Sequence, residues 1–525
     1  MACMLFYLFI GTDERQGLTL FTKQDVDKVN EIKEEQKDSY RGIFKATSLF
    51  GGVQVYQILI EVIKSKFIAV LLGPLGVGIQ GLYTSATQLI QQLTSFGLSS
   101  SAVRNVAEAN GSGDKARIAR VVYALRRLVW ITGLLGMVVV IVLSPLLSKS
   151  SFGDSDHIVA FVIISVTLLL TQLSAGQKVV LQGTRRLKLL AKASTIGVTL
   201  GLIIAVPLYY WLGVEGIVPN IVITAATTLL ITWYYSKKVE IEKVIMTNKE
   251  VLKEGKSVLV MGIAMSLSQL LASGSAYALR ACMRLWGGVE VVGLFSAGYI
   301  LMTQYTGLVF NAMGTDYYPR LASVNGDNAK CRQMMNQQGE IGMLILAPSM
   351  VVCIVFIPIV VRILYSEKFL AINSYVVWCS AGMLFKMASW AISYVFMAKG
   401  ESRLFIINEM SYAVYTLLLN LAGYKLGGLT GLGISFAISY IIYLTQVFII
   451  AHKKYGFFFE NSLIRVFLIQ FVTLTLCLGC VLLLPIVWKY VIGSFMVIVS
   501  GCYSLMELHK RLDLKSFING KLHKQ

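Results

Sequence analysis

Apolar stretches of roughly 20 residues, the length that carries an α-helix across a bilayer, recur along this chain from about residue 43 to about residue 506. About fourteen can be marked out by that criterion. Strict alternation of apolar and polar residues, which a membrane β-barrel needs, is absent. Unpaired backbone groups are too costly in hydrocarbon, so runs of this length must close their own hydrogen bonds as helices. The pattern predicts an all-α polytopic membrane protein with about 14 transmembrane helices.

The polar breaks carry the orientation. Basic residues fall on every second connection: Arg104, Arg117 and Arg120, then Arg185, Arg186, Lys188 and Lys192, then Lys237, Lys238, Lys249 and Lys256. Arg320, Lys330 and Arg332 follow, then Lys399 and Arg403, Lys453 and Lys454, and finally Lys510 and Arg511 in the tail. The intervening turns, at 73–78, 147–156, 213–216, 287–290, 366–369, 426–431 and near Lys489, are short and poor in basic residues. Cytoplasmic loops concentrate Lys and Arg, so the alternation predicts an even number of spans with both termini cytoplasmic. The net charge of +19 is then mostly topology. Because it is spread over many loops and forms no single patch, no nucleic-acid partner is expected.

The chain also repeats itself. Gly73 matches Gly287, Arg104 matches Arg320, Gly183 matches Gly400, and Leu212-Gly213 matches Leu426-Gly427, at separations of 214, 216, 217 and 214 residues. Each copy holds six spans. Six is even, so both copies enter the membrane from the same side as parallel repeats. The expected organisation is an N-terminal cytoplasmic extension at 1–42, an N-lobe at 43–236, a basic cytoplasmic linker at 237–256 and a C-lobe at 257–451. Two extra C-terminal helices at 463–506 and a cytoplasmic tail at 507–525 complete it. Residues 1–42 read as an extension without a transport role: the apolar start is too short to span, and 23–40 is a charged helix. Paired lobes in transporters place the substrate between them near the midplane, and rocking alternates access.

Chemistry-bearing motifs are scarce. Eight cysteines and four histidines are scattered. Cys477 and Cys480 form a CxxC inside an apolar helix with no second pair, which reads as small-residue packing. Nothing resembles a metal site, a nucleophile–base pair or a phosphate loop, so no cofactor and no catalytic residue is assigned, and the chain is read as a transporter and not an enzyme.

Three stretches carry a resemblance: Phe44-Lys-Ala-Thr-Ser-Leu-Phe-Gly-Gly-Val-Gln, then Lys66-Phe-Ile-Ala-Val-Leu-Leu-Gly-Pro-Leu-Gly-Val-Gly, then Phe96-Gly-Leu-Ser-Ser-Ser-Ala-Val-Arg-Asn-Val-Ala. The sequence resembles the Wzx-type O-antigen flippases, in the polysaccharide transporter branch of the multidrug/oligosaccharidyl-lipid/polysaccharide exporter superfamily. The resemblance covers nearly all of the chain after residue 43. It implies two lobes around a central cavity. It also implies movement of an undecaprenyl-pyrophosphate-linked oligosaccharide from the cytoplasmic to the periplasmic leaflet of the bacterial inner membrane. The expected partners are that lipid-linked oligosaccharide and membrane lipids, with the last two spans a candidate docking place for polysaccharide polymerase machinery.

Ionisable residues deep in a span are expensive and rarely face lipid. Glu61, Lys64 and Lys66 lie in the first span, Arg280 and Arg284 in the seventh, and Lys386 near the middle of the tenth. The repeat, taken at 214 residues, pairs Lys66 with Arg280. Lys64, Lys66, Arg280, Arg284 and Lys386 are the expected substrate-binding set, because Arg holds a pyrophosphate bidentately and Lys as a point charge. The blander alternatives are snorkelling for the first four and a structural pair with Glu409 for Lys386. Glu61 is the candidate for ion coupling, against a simple pair with Lys64. Glutamines such as Gln88, Gln91, Gln92, Gln172, Gln177 and Gln269 serve either interhelical hydrogen bonds or sugar hydroxyls.

Two rivals remain. A multidrug or cation antiporter of the same superfamily would favour acidic cavity residues, whereas the mid-span charges here are mainly basic. A membrane glycan polymerase or ligase would need a sizeable outer loop, and no outer connection exceeds about a dozen residues.

Overall fold

The computed structural model describes residues 23–111, 113–242 and 244–512. The expected extension and tail thus lie partly outside the described residues, at 1–22 and 513–525, as do both termini. Contacts divide the chain into two compact units, Met1–Gln57 and Ile58–Gln525. The described part of the first is helical; the second holds everything that follows.

Among the described residues every regular element is a helix. In order they are α1 (Lys23–Ser95), α2 (Leu98–Gly111), α3 (Lys115–Ser151), α4 (Ile158–Gly183), α5 (Leu187–Leu212) and α6 (Ile217–Ser236). Then come α7 (Asn248–Ser323), α8 (Asn328–Leu364), α9 (Asn373–Ala398), α10 (Ser402–Tyr455), α11 (Asn461–Leu483) and α12 (Ile486–Leu512). Side-chain caps set several starts, where the first amides of a helix lack partners. Asp114 accepts from the Arg117 amide at 3.0 Å, Thr247 and Glu250 form a capping box, and Asp327 accepts from Ala329 at 2.9 Å.

Nine stretches among the described residues are long and apolar enough to cross a membrane. Three of them, at 187–236, 269–311 and 403–455, run to 50, 43 and 53 residues, about twice what one crossing needs. Each carries a glycine break near its middle, at Gly213, Gly288 and Gly427–Gly428. Helix α1 breaks likewise at Gly73. The outward faces are apolar and bare, with Trp211 and Val142 exposed by 77% and 69%, as a lipid-facing surface requires. The chain is an all-α membrane protein built on a repeat.

The backbone fixes the register of that repeat. Gly73 (φ 64, ψ −170) and Gly288 (φ 80, ψ 176) share one unusual conformation. Gly213 (φ 56, ψ −130) and Gly428 (φ 56, ψ −137) share another. Arg185 and Gly400 both have positive φ, at 56° and 72°. All three pairs stand 215 residues apart: 73 and 288, 185 and 400, 213 and 428. The separation is therefore one residue longer than the glycine match in the sequence suggests.

The second halves of α1 and α7 cross close to this break, at what is here called the glycine end. A methyl on Gly78 would lie 2.1 Å from the Val289 carbonyl oxygen, and one on Gly293 would lie 1.8 Å from that of Pro74. Position 78 plus 215 is 293, and 74 plus 215 is 289, so the two contacts are the same contact made twice. That reciprocity is the mark of an isologous interface, here between two halves of one chain. Helices α11 and α12 pack on α8. They are joined by Gln470 to Ser504 at 2.8 Å, and α12 is tied to α8 by the Arg511–Glu340 ion pair.

Candidate functional site

Three adjoining hollows lie within the Ile58–Gln525 unit. The central one, about 300 Å³, is lined by Glu61, Lys64, Ser65, Gly81, Thr84 and Arg280 among others. Both members of three repeat-equivalent pairs line it: Ser65 and Arg280, Gly81 and Ser296, Thr84 and Tyr299. A second hollow, about 260 Å³, shares Ala276, Arg280 and Tyr299 with the first and extends among α7, α9 and α10. The third, about 550 Å³, shares Lys64, Gln80, Thr84 and Gln88 with the first and extends among α1, α4 and α6. The second and third are themselves repeat equivalents. Thr84, Gln88, Thr171, Ile221 and Ala225 in the third correspond to Tyr299, Thr303, Lys386, Phe436 and Tyr440 in the second. The second is referred to below as the C-arm and the third as the N-arm.

Four of the six sequence-predicted site residues line this system. Lys64 stands where the central hollow meets the N-arm, and Arg280 where it meets the C-arm. Lys386 lines the C-arm, and Glu61 the central hollow. Arg280 is held by its own helix, donating to the Ala276 carbonyl at 3.2 Å. Its guanidinium carbon lies 5.4 and 5.6 Å from the ring centres of Phe295 and Tyr299. Lys386 places its ammonium 5.0 Å from the Phe310 ring centre and 5.5 Å from that of Tyr440. Cation–π contact of this kind attracts a charge without neutralising it. Glu409 lines the same arm, but its carboxylate accepts from the Tyr443 hydroxyl at 2.7 Å. Among the described residues no ion pair joins it to Lys386, and none joins Glu61 to Lys64.

Lys66 and Arg284 are brought elsewhere, to the glycine end. Lys66 donates to the carbonyls of Tyr365 at 2.6 Å and Arg362 at 3.2 Å, at the C-terminus of α8. Arg284 donates to the carbonyls of Ser151 at 3.0 Å and Lys149 at 3.2 Å, at the C-terminus of α3. Helix C-termini present unpaired carbonyls and partial negative charge, so each cation caps a helix of the opposite lobe. The ends of α3 and α8 correspond through the repeat, but the two cations do not: Lys66 and Arg284 stand 218 residues apart, three more than the repeat and so about one helical turn out of register. Tyr277 adds a third tie, its hydroxyl 2.6 Å from Ser150 Oγ. Of the glutamines, Gln88 and Gln91 line the N-arm, Gln172 bonds Thr132 at 3.0 Å within the lobe, and Gln92 bonds Gln269 at 3.3 Å.

Sequence reasoning missed most of the N-arm. Thr167, Thr171, Ser174 and Lys178 on α4 follow one another at i, i+4, i+7 and i+11, and Asn220, Thr224 and Thr228 on α6 at i, i+4 and i+8. Such spacing marks one helix face. A count of polar uncharged residues at helical period would have found both stripes. Lys178 stands five residues before the end of α4, so a search for charges at the middle of spans, which found Lys386, passes over it.

The profile of a family described as polysaccharide biosynthesis protein matches residues 67–374. No curated protein matches the sequence. Among solved structures, the chain is similar to a multidrug resistance MATE family transporter of the MOP superfamily in an inward-facing conformation. The TM-score is 0.65 at 16% identity, over 78% of this chain and 96% of that one. It is similar also to the lipid II flippase MurJ in an inward closed conformation, with TM-score 0.65 at 13% identity over 89% of this chain and 99% of that one. A third is a point mutant of the Vibrio cholerae MATE transporter VcmN, at TM-score 0.54 and 17% identity over 80% of this chain and 98% of that one. At these identities the likeness is one of fold.

Proposed function

Because the chain belongs to the polysaccharide biosynthesis protein family, we propose that it is a flippase for an undecaprenyl-pyrophosphate-linked oligosaccharide. It moves an O-antigen or related surface polysaccharide repeat unit from the cytoplasmic to the periplasmic leaflet of the bacterial inner membrane, by alternating access and with both termini cytoplasmic. One observation carries the reading: Lys64, Arg280 and Lys386 line adjoining hollows inside a membrane-spanning bundle, and no carboxylate pairs with any of them among the described residues. Unpaired cations in a low-dielectric site are costly. They are tolerable where an anion arrives to meet them, and a pyrophosphate is that anion. The fold likeness to a lipid II flippase supports a lipid-linked substrate. Glu61, beside Lys64 but not paired with it, is the coupling residue in this reading. The chain hands its product to polysaccharide polymerase machinery.

The fold likeness to multidrug transporters supports the rival reading, a cation antiporter, but Glu61 and Glu409 are outnumbered in the hollows by basic groups. The test is leaflet transfer in proteoliposomes, using a polyprenyl pyrophosphate carrier bearing a defined glycan, with and without an imposed proton gradient. Transfer of the carrier supports the flippase. Extrusion of a cationic dye without any carrier transfer would replace it with the antiporter.

A further inference from the structure

The two arms occupy the same place in each lobe yet are lined by opposite chemistry. At equivalent positions the N-arm has Gln80, Thr87, Thr171 and Ala225 where the C-arm has Phe295, Met302, Lys386 and Tyr440. A duplicated pocket that has diverged this far serves two different parts of a ligand. We infer that the N-arm is a glycan subsite, taking the neutral hydroxyl-bearing sugars of the substrate while the central hollow holds the pyrophosphate. The inference rests on the flippase reading and adds the placement of the sugar.

Sugar hydroxyls both donate and accept, and the N-arm offers both roles. Its threonines spend their protons on their own helices. Thr87 donates to Tyr83 at 2.8 Å, Thr167 to Ile164 at 2.6 Å and Thr228 to Thr224 at 2.8 Å, each to a carbonyl. That leaves the hydroxyl lone pairs as acceptors facing the hollow. Donors come from the amide of Gln88 and the ammonium of Lys178, neither of which has a protein partner among the described residues. Among the described residues no acidic and no aromatic side chain lines this arm. Its volume of about 550 Å³ lies in the range of pockets that bury a drug-sized ligand. The aromatic C-arm is the poorer choice for a sugar. The rings of Phe295, Tyr299 and Tyr440, which a sugar would stack on, already carry Arg280 and Lys386. Because Lys64 and Gln88 line both the central hollow and the N-arm, a glycan esterified to a pyrophosphate at the centre extends directly into it.

The experiment measures binding to the full chain in lipid nanodiscs. The probes are a polyprenyl pyrophosphate without sugar, the same carrier bearing a neutral tetrasaccharide, and the free tetrasaccharide. The variant combines Thr87→Val, Thr167→Val and Thr228→Val, three near-isosteric changes confined to the N-arm that remove three of its acceptor hydroxyls. Three lost hydrogen bonds predict a fall of about tenfold or more for the glycan-bearing carrier and no change for the bare one. Equal weakening toward both carriers, or a wild type that binds both alike, would overturn the proposal. If the triple variant binds neither, Thr228→Val alone decides, and the absence of a glycan-selective loss again overturns it. If the wild type binds no carrier, the flippase reading falls. The subsite is then judged by whether free tetrasaccharide shields Thr228→Cys from a thiol reagent, and no shielding sinks it.

Discussion

Replacing Gly293 by alanine should force open the end of the molecule that the structure holds shut. Ordinary van der Waals contact begins at 3.4 Å, and the added methyl would stand 1.8 Å from the Pro74 carbonyl oxygen. The helices must therefore separate by about 1.6 Å, and the obstacle is backbone, which cannot rotate away. Overpacking of this kind costs typically about 1–3 kcal/mol. The cost falls on the closed arrangement alone, since helices that have parted at this end no longer feel the methyl. A differential of that size changes a two-state equilibrium by roughly 5- to 150-fold. The assay is labelling of Ser273→Cys, which lines the central hollow, by a membrane-impermeant maleimide applied from the side of the glycine end in a background lacking the native cysteines. Labelling should rise with Gly293→Ala. It should rise similarly with Gly78→Ala, whose methyl meets Val289 in the mirrored contact. Unchanged labelling in both variants would refute the reasoning, and so would an effect from only one, because the contact is reciprocal.

Other perturbations follow from the same geometry. Lys66→Gln and Arg284→Gln should each loosen that end several-fold by uncapping a helix C-terminus, read by the same labelling; Lys66→Arg should restore closure, and no change in either glutamine variant would dismiss the capping role. Arg280→Ala and Lys386→Ala should abolish glycan export while leaving protein in the membrane. Arg280→Lys should keep part of the transport, having charge without the bidentate fork, and Arg280→Glu none; normal transport by the last would remove the pyrophosphate from this position. Glu401, in the turn between α9 and α10, is held below the usual carboxylate range by Lys454 and by the Tyr455 hydroxyl. A depressed carboxylate contributes stability above its unfolded value, near pH 4.3, and loses it as pH falls through the lower folded value. Glu401→Gln should therefore lower Tm at neutral pH and match wild type in acid, and a Tm deficit independent of pH would contradict the ion pair.

Much of the fold was legible because membranes simplify it. Length and hydropathy alone demand helices, and the glycines that break α1, α7 and α10 stand out in otherwise apolar runs. Part of the site was legible for the same reason: Lys64, Arg280 and Lys386 are conspicuous where charge is costly. What escaped notice was cheap polarity. A threonine that bonds its own helix carries little penalty in a span, so the stripe from Thr167 to Ser174 raises no alarm until three helices are seen to turn such faces to one hollow.

The sharpest departure comes from a single residue of register. Matching Leu71-Leu-Gly with Leu285-Trp-Gly in the sequence aligns Gly73 with Gly287, and that choice makes Lys66 the counterpart of Arg280. The backbone selects Gly288, since it is Gly288 that shares the left-handed φ of Gly73. One residue is about 100° around a helix. Ser65, the repeat equivalent of Arg280, lines the central hollow with it, and Lys66 turns to the end of α8 instead. Arg284, 218 residues on and so about one turn off the repeat register, makes a comparable contact with the end of α3. Cations that look alike in the sequence are thus divided by geometry into two tasks. Lys64, Arg280 and Lys386 line the hollows, where the proposed function has them meet an anion, and Lys66 and Arg284 spend their charge on helix-end carbonyls at the glycine end. Charge deep in a span marks a residue as worth explaining, but only the direction it faces decides which explanation applies.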